Sequence, residues 1–193
     1  MNDHYTIRNT MKSDFDRLIE ICDLELGNGY LSLISLNEIF ENKNNLVQTV
    51  VDAETEIIGL NISLIISEDE LISDLNEYQL QYLSPYFCAA NKIGILKMIC
   101  LIDKAKRKGI GTQFIRESLD YFATKDIKTI YAFAWKTLEG INMDTIFNRK
   151  GIHPFIEIEN YWSDDSLLKN YSCPECGLPP CKCSVVVYNK KLE

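Results

Sequence analysis

The sequence predicts an α/β (α+β) domain, and three observations carry that expectation. Segments rich in β-branched and aromatic residues recur along the chain, at residues 5–8, 46–51, 57–66, 93–102, 127–135, 155–161 and 184–189. Between them stand stretches whose apolar residues repeat at helical spacing. Residues 93–135 read as strand, glycine loop, helix and strand, a βαβ-like unit.

After the first strand candidate, Tyr5-Thr6-Ile7-Arg8, Ser13 stands as an N-cap before a helix on which Phe15, Leu18, Ile19, Cys22 and Leu26 share a face; Gly27-Asn28-Gly29 stops it. Ser35-Leu36-Asn37-Glu38 has the capping-box spacing, a hydroxyl followed three residues later by a carboxylate, and predicts a second short helix reaching Asn42. Asp52-Ala53-Glu54-Thr55 separates two β-branched runs, the pattern of an antiparallel hairpin. Residues 68–91 turn acidic and then aromatic (Tyr78, Tyr82, Tyr86, Phe87) without a clean period, and read as an insertion with some helix. The run 93–102, broken only by Gly94 and Lys97, fits a central strand covered on both faces. Phe114, Ile115, Leu119 and Phe122 give the next helix its stripe, and a buried strand follows at 127–135. A short helix over 142–150 ends at Gly151, and the last two strands flank a cysteine cluster.

With 193 residues, 46% hydrophobic and 25% charged, the chain can bury a sizeable core, and the expectation is one domain over 1–193. Lys and Arg number 20 against 28 Asp and Glu, a formal charge of −8 that argues against a nucleic-acid partner and agrees with amine-bearing substrates. No stretch approaches the roughly 20 uncharged apolar residues of a membrane span. Asp3, Arg8, Lys12, Asp14 and Asp16 interrupt the segment where a signal core would lie. The expectation is a soluble, cytoplasmic protein with no membrane partner. Of the seven cysteines, Cys22, Cys88 and Cys100 sit among apolar neighbours and read as small core residues.

Lys106-Arg107-Lys108-Gly109-Ile110-Gly111-Thr112 lies between a buried strand and an amphipathic helix, where unpaired N–H groups and the helix dipole favour an anion. Gly109 and Gly111 let a pyrophosphate approach the backbone, and Lys104, Lys106, Arg107 and Lys108 concentrate positive charge in an acidic protein. A Walker loop would need Gly-x4-Gly-Lys-Ser/Thr, and a dinucleotide fingerprint would need glycine where Phe114 stands.

What this stretch does resemble, from Leu101-Ile102-Asp103 through Thr112, is motif A of the GNAT acetyltransferases, written Gln/Arg-x-x-Gly-x-Gly/Ala. Phe147-Asn148-Arg149-Lys150-Gly151-Ile152 resembles that family's Tyr-x-x-x-Gly-Phe ending of the last helix, and the order of elements over residues 4–191 is similar as well. The resemblance implies the GNAT fold, a mixed central sheet of about seven strands with flanking helices, splayed between the fourth and fifth strands. It also implies acetyl-CoA as cosubstrate and transfer of the acetyl group to a primary amine of a small-molecule or protein acceptor by direct attack on the thioester. Backbone groups of Cys100, Leu101 and Ile102 would pair with the pantetheine arm, and amides of Arg107, Lys108, Gly109, Ile110, Gly111 and Thr112 would hold the pyrophosphate. A homodimer is left open.

The pattern departs from the family in three places. Lys106 stands where Gln or Arg is usual, keeping the charge without the planar fork. Phe147 stands where many members carry the tyrosine that protonates the leaving thiolate, and a phenyl ring has no proton to give. The 93–102 strand has no carboxylate or histidine to serve as base. Glu157 and Tyr161 are the catalytic candidates in their place, with Glu159 and His153 as further ones. A catalytically degenerate CoA-binding module is therefore an alternative reading.

Cys173, Cys176, Cys181 and Cys183 form Cys-x2-Cys-x4-Cys-x-Cys with Gly177 and two prolines to bend the chain, inside a loop spanning 164–183. Four thiolates suit a closed, structural tetrahedral zinc; disulfides and free thiols are the alternatives, and compartment weighs against disulfides. A zinc-loop interaction protein is the third functional reading.

Overall fold

The protein is described here by a computed structural model covering residues 4–87, 89–138 and 140–192. Cys88 lies outside the described residues. The β-branched segments form one seven-stranded sheet of β1 (Tyr5–Asn9), β2 (Leu46–Asp52), β3 (Ile57–Ile66), β4 (Ile93–Leu101), β5 (Thr129–Lys136), β6 (His153–Ile158) and β7 (Ser184–Lys191). Their order is β1-β2-β3-β4-β5-β7-β6. β4 and β5 pair in parallel and every other neighbour pair is antiparallel, so the sheet is mixed as expected. The β2–β3 hairpin closes where predicted, with Thr55 donating its N–H to the Asp52 carbonyl at 3.1 Å.

Seven helices flank the sheet among the described residues: α1 (Phe15–Leu26), α2 (Leu33–Glu41), α3 (Glu68–Ser73), α4 (Glu77–Leu83), α5 (Ile110–Thr124), α6 (Asp144–Arg149) and α7 (Ser163–Lys169). Strand alternation sorts them into two layers. On β7, Val185 and Val187 face the layer with Leu75 and Leu83 of the 68–91 insertion, while Val186 and Tyr188 face α5 and α6 through Ile115 and Phe147. α1 and α2 share the first face, packing Leu18, Ile21, Cys22 and Leu36 on Leu60, Ile62, Met98 and Cys100. The insertion therefore folds as two short helices that cover the sheet.

Two helix starts differ from the sequence expectation. α1 does not begin on Ser13: a 3-10 turn over Lys12–Asp14 precedes it, and Asp14 accepts the Met11 N–H at 2.8 Å and two hydrogen bonds from Arg8 at 2.6 and 2.9 Å. α2 starts three residues early because Ser32, not Ser35, is the N-cap, and the two exchange backbone-to-hydroxyl bonds of 3.1 Å. α7 was not legible in the sequence, where residues 164–183 read as loop; Trp162 precedes it and Asn170, at φ 54°, ends it.

A buried polar network fixes α5 on the sheet. Asn61 Nδ2 donates to Gln48 (3.0 Å) and to the Ser118 hydroxyl (2.9 Å), Ser63 bonds the same hydroxyl (2.9 Å), and Gln48 donates to Glu117 at 2.6 Å. Such a network holds only when its members are satisfied together, so it sets the rotation of α5 and hence the loop at its N-terminus. Among the described residues no helix is long and apolar enough to cross a membrane.

Candidate active site

β4 and β5 stay paired for three residues, Gly94–Ile130, Ile95–Tyr131 and Leu96–Ala132, and then part. A cavity of about 170 Å³ occupies the gap. Its walls are Leu96, Met98 and Ile99 of β4, Phe133 to Trp135 of β5, Ile115 of α5 and Phe147 of α6, with Tyr30, Trp162 and Tyr171 at the other end. Parting after Leu96 leaves one edge of β4 without a strand partner.

Which backbone groups face that edge follows from the β3 register. Ile102 donates its N–H to the Ile58 carbonyl at 3.1 Å, and its own carbonyl accepts the Ala105 N–H at 2.8 Å, so both groups are used internally. By antiparallel alternation Cys100, opposite Leu60, also faces β3, whereas Ile99 and Leu101 turn their backbone groups to the open edge. Of the three positions expected to pair with an inserted arm, Leu101 alone is aimed into the gap, and Ile99 joins it.

The glycine loop lies beside this edge. Arg107 (φ 61°) and Gly109 (φ 84°) are left-handed, which turns the chain abruptly into α5. A side chain on Gly109 would meet nothing within 4 Å, so glycine is required there by backbone conformation, not by space. The first intrahelical bond runs from Gln113 N–H to the Gly109 carbonyl, 3.0 Å, leaving the amides of Ile110, Gly111 and Thr112 without an intrahelical partner. Two of the loop's cations serve as anchors: Lys106 pairs with Glu25 of α1 (2.6 Å) and Asp103 (2.9 Å), and Lys104 with Asp52 (3.0 Å) and Glu56 (2.8 Å). Arg107 forms no hydrogen bond or ion pair among the described residues.

Phe147 lies on the cleft wall, 5% exposed, its ring 5.0 Å from that of Tyr188. Tyr188 cannot lend the missing hydroxyl, because it donates to Asp144 at 2.7 Å. The two catalytic candidates are not brought to the cleft. Glu157 sits on β6, two strands from β5, and pairs with Lys136 at 2.7 Å. Tyr161 stacks on Phe133 at 5.9 Å in the core beneath α4. A strand at Glu157 was legible, but β6 runs over His153–Ile158 where 155–161 was expected, so Tyr161 lies past its end; that β7 would insert between β5 and β6, carrying both away, was not legible. His153 and Glu159 are exposed on the same outer strand region.

The cleft holds no carboxylate or histidine among the described residues that line it. Its polar groups include Asn61, Asn142, Tyr30, Tyr171 and Lys97, none of which sequence reasoning singled out for function. Lys97 had left a signal, the one charge in an apolar strand. Burial, then the Asp165 charge, pushes the Tyr30 hydroxyl pKa well up and keeps it protonated; Tyr171 shifts the same way for the same reasons and is hydrogen-bonded to Asp165.

At the far end of the cleft the four cysteines converge. Their sulfurs all lie within 4.8 Å of one another, with Cys173–Cys183 at 3.7 Å, Cys176–Cys183 at 3.4 Å and Cys176–Cys181 at 4.0 Å. A tetrahedron with zinc–sulfur bonds of about 2.3 Å has edges of about 3.8 Å, so the donor set fits that ion. Cys173 and Gly177 exchange backbone hydrogen bonds of 2.8 Å each, closing the Cys-x2-Cys turn, and the Lys182 N–H points at Cys176 Sγ, 3.3 Å away. Burial pushes the Cys183 thiol up to about 12. Cys173 and Cys181 also line the cleft. The loop is clamped to the α1–α2 turn: Ser172 donates to the Asn28 carbonyl at 3.2 Å, and a Cβ on Gly27 would stand 1.7 Å from the Ser172 carbonyl oxygen.

Neither a family model nor a curated protein matches the chain. Solved structures do. Arabidopsis thaliana NAA60 in complex with acetyl-CoA aligns over 98% of this chain and 99% of its own at 15% identity, TM-score 0.70. Mosquito arylalkylamine N-acetyltransferase like 5b aligns over 98% and 100% at 11% identity, TM-score 0.66. An acetyltransferase of GNAT family from Streptococcus pneumoniae aligns over 98% and 100% at 12% identity, TM-score 0.63. The mixed seven-stranded sheet, parted after three parallel pairs and faced by the glycine loop, is the fold of the GNAT acetyltransferases.

Proposed function

We propose that the protein is an acetyl-CoA-dependent N-acetyltransferase. The observation that carries this reading is the cleft between β4 and β5, with the free edge of Ile99 and Leu101 on one side and the unpaired amides of Ile110 to Thr112 at its mouth. A pantetheine arm can extend that edge as a strand would, and a pyrophosphate suits the helix start. Acetyl-CoA is also the ligand named for the Arabidopsis neighbour.

In the transfer, the lone pair of a neutral acceptor amine attacks the acetyl carbonyl carbon, the carbon–sulfur bond breaks, the nitrogen loses a proton and the thiolate gains one. The thioester is already activated, so holding the amine against it supplies much of the rate, and a cleft without carboxylate or histidine is consistent with that. Tyr30 is the proton donor we assign in place of the family's tyrosine: it lines the cleft, and its hydroxyl has no hydrogen-bond partner among the described residues. Glu157 and Tyr161 have no part in this scheme.

Cys173, Cys176, Cys181 and Cys183 would hold a structural zinc. With four protein ligands it leaves no position for a reacting water, and its contribution is to order the wall that Cys173 and Cys181 form. Phe147 favours a second reading, a CoA-binding module without catalysis. Thiol release from acetyl-CoA across a panel of amines separates the two: release supports the transferase, and CoA binding without release to any amine supports the module.

A further inference from the structure

The β3–β4 register slips between Ile62 and Ser63, with Ile62 opposite Met98 and Ser63 opposite Leu96, so Lys97 is the extra residue of a β-bulge. It is also the first residue after the last β4–β5 pair, Leu96–Ala132. Bulge and splay thus coincide at one side chain, which lines the cleft where the strands part.

That side chain is exposed to the solvent of the cleft, and it makes no hydrogen bond or ion pair among the described residues. Burial lowers its ammonium pKa, and the charged groups facing it are Lys169 and Asp165 of α7 and Asp74 beyond α3. Asp165 is engaged by Lys169 at 2.7 Å and by the Tyr171 hydroxyl. Asp74 is exposed. Of the residues that line the cleft Lys97 is the one with a charge; Asp165 behind it is already engaged and Asp74 is turned to solvent, so the ammonium is open to an anion that enters the cleft.

We propose that Lys97 determines acceptor specificity by pairing with a carboxylate on the acceptor, which makes the acceptor a small amine of the amino-acid class and excludes polyamines, aminoglycosides and lysine side chains. This rests on the transferase reading above. The ammonium at the bulge holds the carboxylate and so orients the neighbouring amine toward the thioester, doing by position what a base on this strand would do by proton transfer. It reverses the expectation that the acidic surface selects cationic amines, because the one charged side chain in the cleft lining is a cation although the chain as a whole carries −8.

The test uses the full-length zinc-replete protein, acetyl-CoA and matched trios of acceptors: an α-amino acid, its carboxamide and its decarboxylated amine, with spermidine alongside. Thiol release is expected to favour at least one free carboxylate by tenfold or more in kcat/KM. Lys97→Met should raise KM for that acceptor at least tenfold with a smaller change in kcat and erase the preference over the carboxamide, while Lys97→Arg keeps part of it. Preference for the decarboxylated amine or spermidine, an unchanged KM in Lys97→Met, or a mass increase of Lys97 by one acetyl group overturns the proposal. So does turnover of no acceptor in the panel by protein that acetyl-CoA still stabilises; loss of that stabilisation instead overturns the transferase reading itself.

Discussion

Lys106 Nζ stands 2.6 Å from the Glu25 carboxylate, so the first cation of the glycine loop is tied to the end of α1 and does not face the gap. The pair is partly exposed and worth at most about 1 kcal/mol. Lys106→Ala is therefore expected to weaken CoA binding by only a few fold, through a looser loop. Gly111→Val should abolish it: a Cβ there would already be in ordinary contact with Ile146 at 3.5 Å and Met143 at 3.8 Å, so the two further methyl groups of valine push α6 away from the start of α5, where the pyrophosphate is proposed to sit. Calorimetric titration of the two variants with CoA checks the order; equal losses would contradict it.

Proton supply to the leaving thiolate gives a second prediction. Tyr30→Phe should lower kcat more than tenfold with CoA binding intact, whereas Glu157→Gln and Tyr161→Phe should stay within about threefold. Phe147→Tyr, at a packed but cleft-facing position, should fold normally and leave turnover unchanged or higher. A steep loss in Glu157→Gln with Tyr30→Phe unaffected would reverse the assignment.

The Asp14 carboxyl sets a pH dependence. Burial alone would raise its pKa, but the Arg8 hydrogen bonds, the Met11 amide, the Arg8 charge and the Thr49 hydroxyl hold it below the usual carboxylate range. A folded pKa below the unfolded value means this stabilisation is complete above about pH 4 and is lost as the pH falls through the folded value. Asp14→Asn should cost roughly 2 kcal/mol at pH 7 by urea unfolding. The difference from the parent protein should shrink below about pH 4; a gap that stays constant with pH would contradict the account.

Metal analysis of protein purified under reducing, chelator-free conditions should find about one zinc per chain. Cys176→Ser should lower that content and speed proteolysis across residues 171–184, while stabilisation by CoA persists, since the cluster shares no residue with the glycine loop or with the free edge of Ile99 and Leu101. Protein free of zinc, with four thiols open to a disulfide reagent, would rule the site out.

The strands were legible because β-branched runs such as Ile57–Ile66 carry their own signal, and the glycine loop because few residue types tolerate φ 84° at Gly109. Helix starts were less so: Ser32 and Ser35 both offer a capping hydroxyl, and the two bond each other's backbone N–H with Ser32 as the cap. The catalytic candidates went astray on topology. Glu157 lies on β6, the next strand after β5 in sequence, but the β5-β7-β6 order removes it from the cleft. Lys97 shows the reverse case, a residue whose oddness was visible and whose meaning depends on a bulge that no local pattern announces.

The central claim is that the β4–β5 cleft and its glycine loop hold acetyl-CoA, and thermal unfolding with added ligand tests it most directly. Acetyl-CoA and CoA at about 100 times their dissociation constant should add roughly 2.7 kcal/mol of stability, with no effect from NAD or ATP and none on the Gly111→Val variant. Unfolding unchanged by millimolar CoA, or an equal shift with ATP, would contradict it.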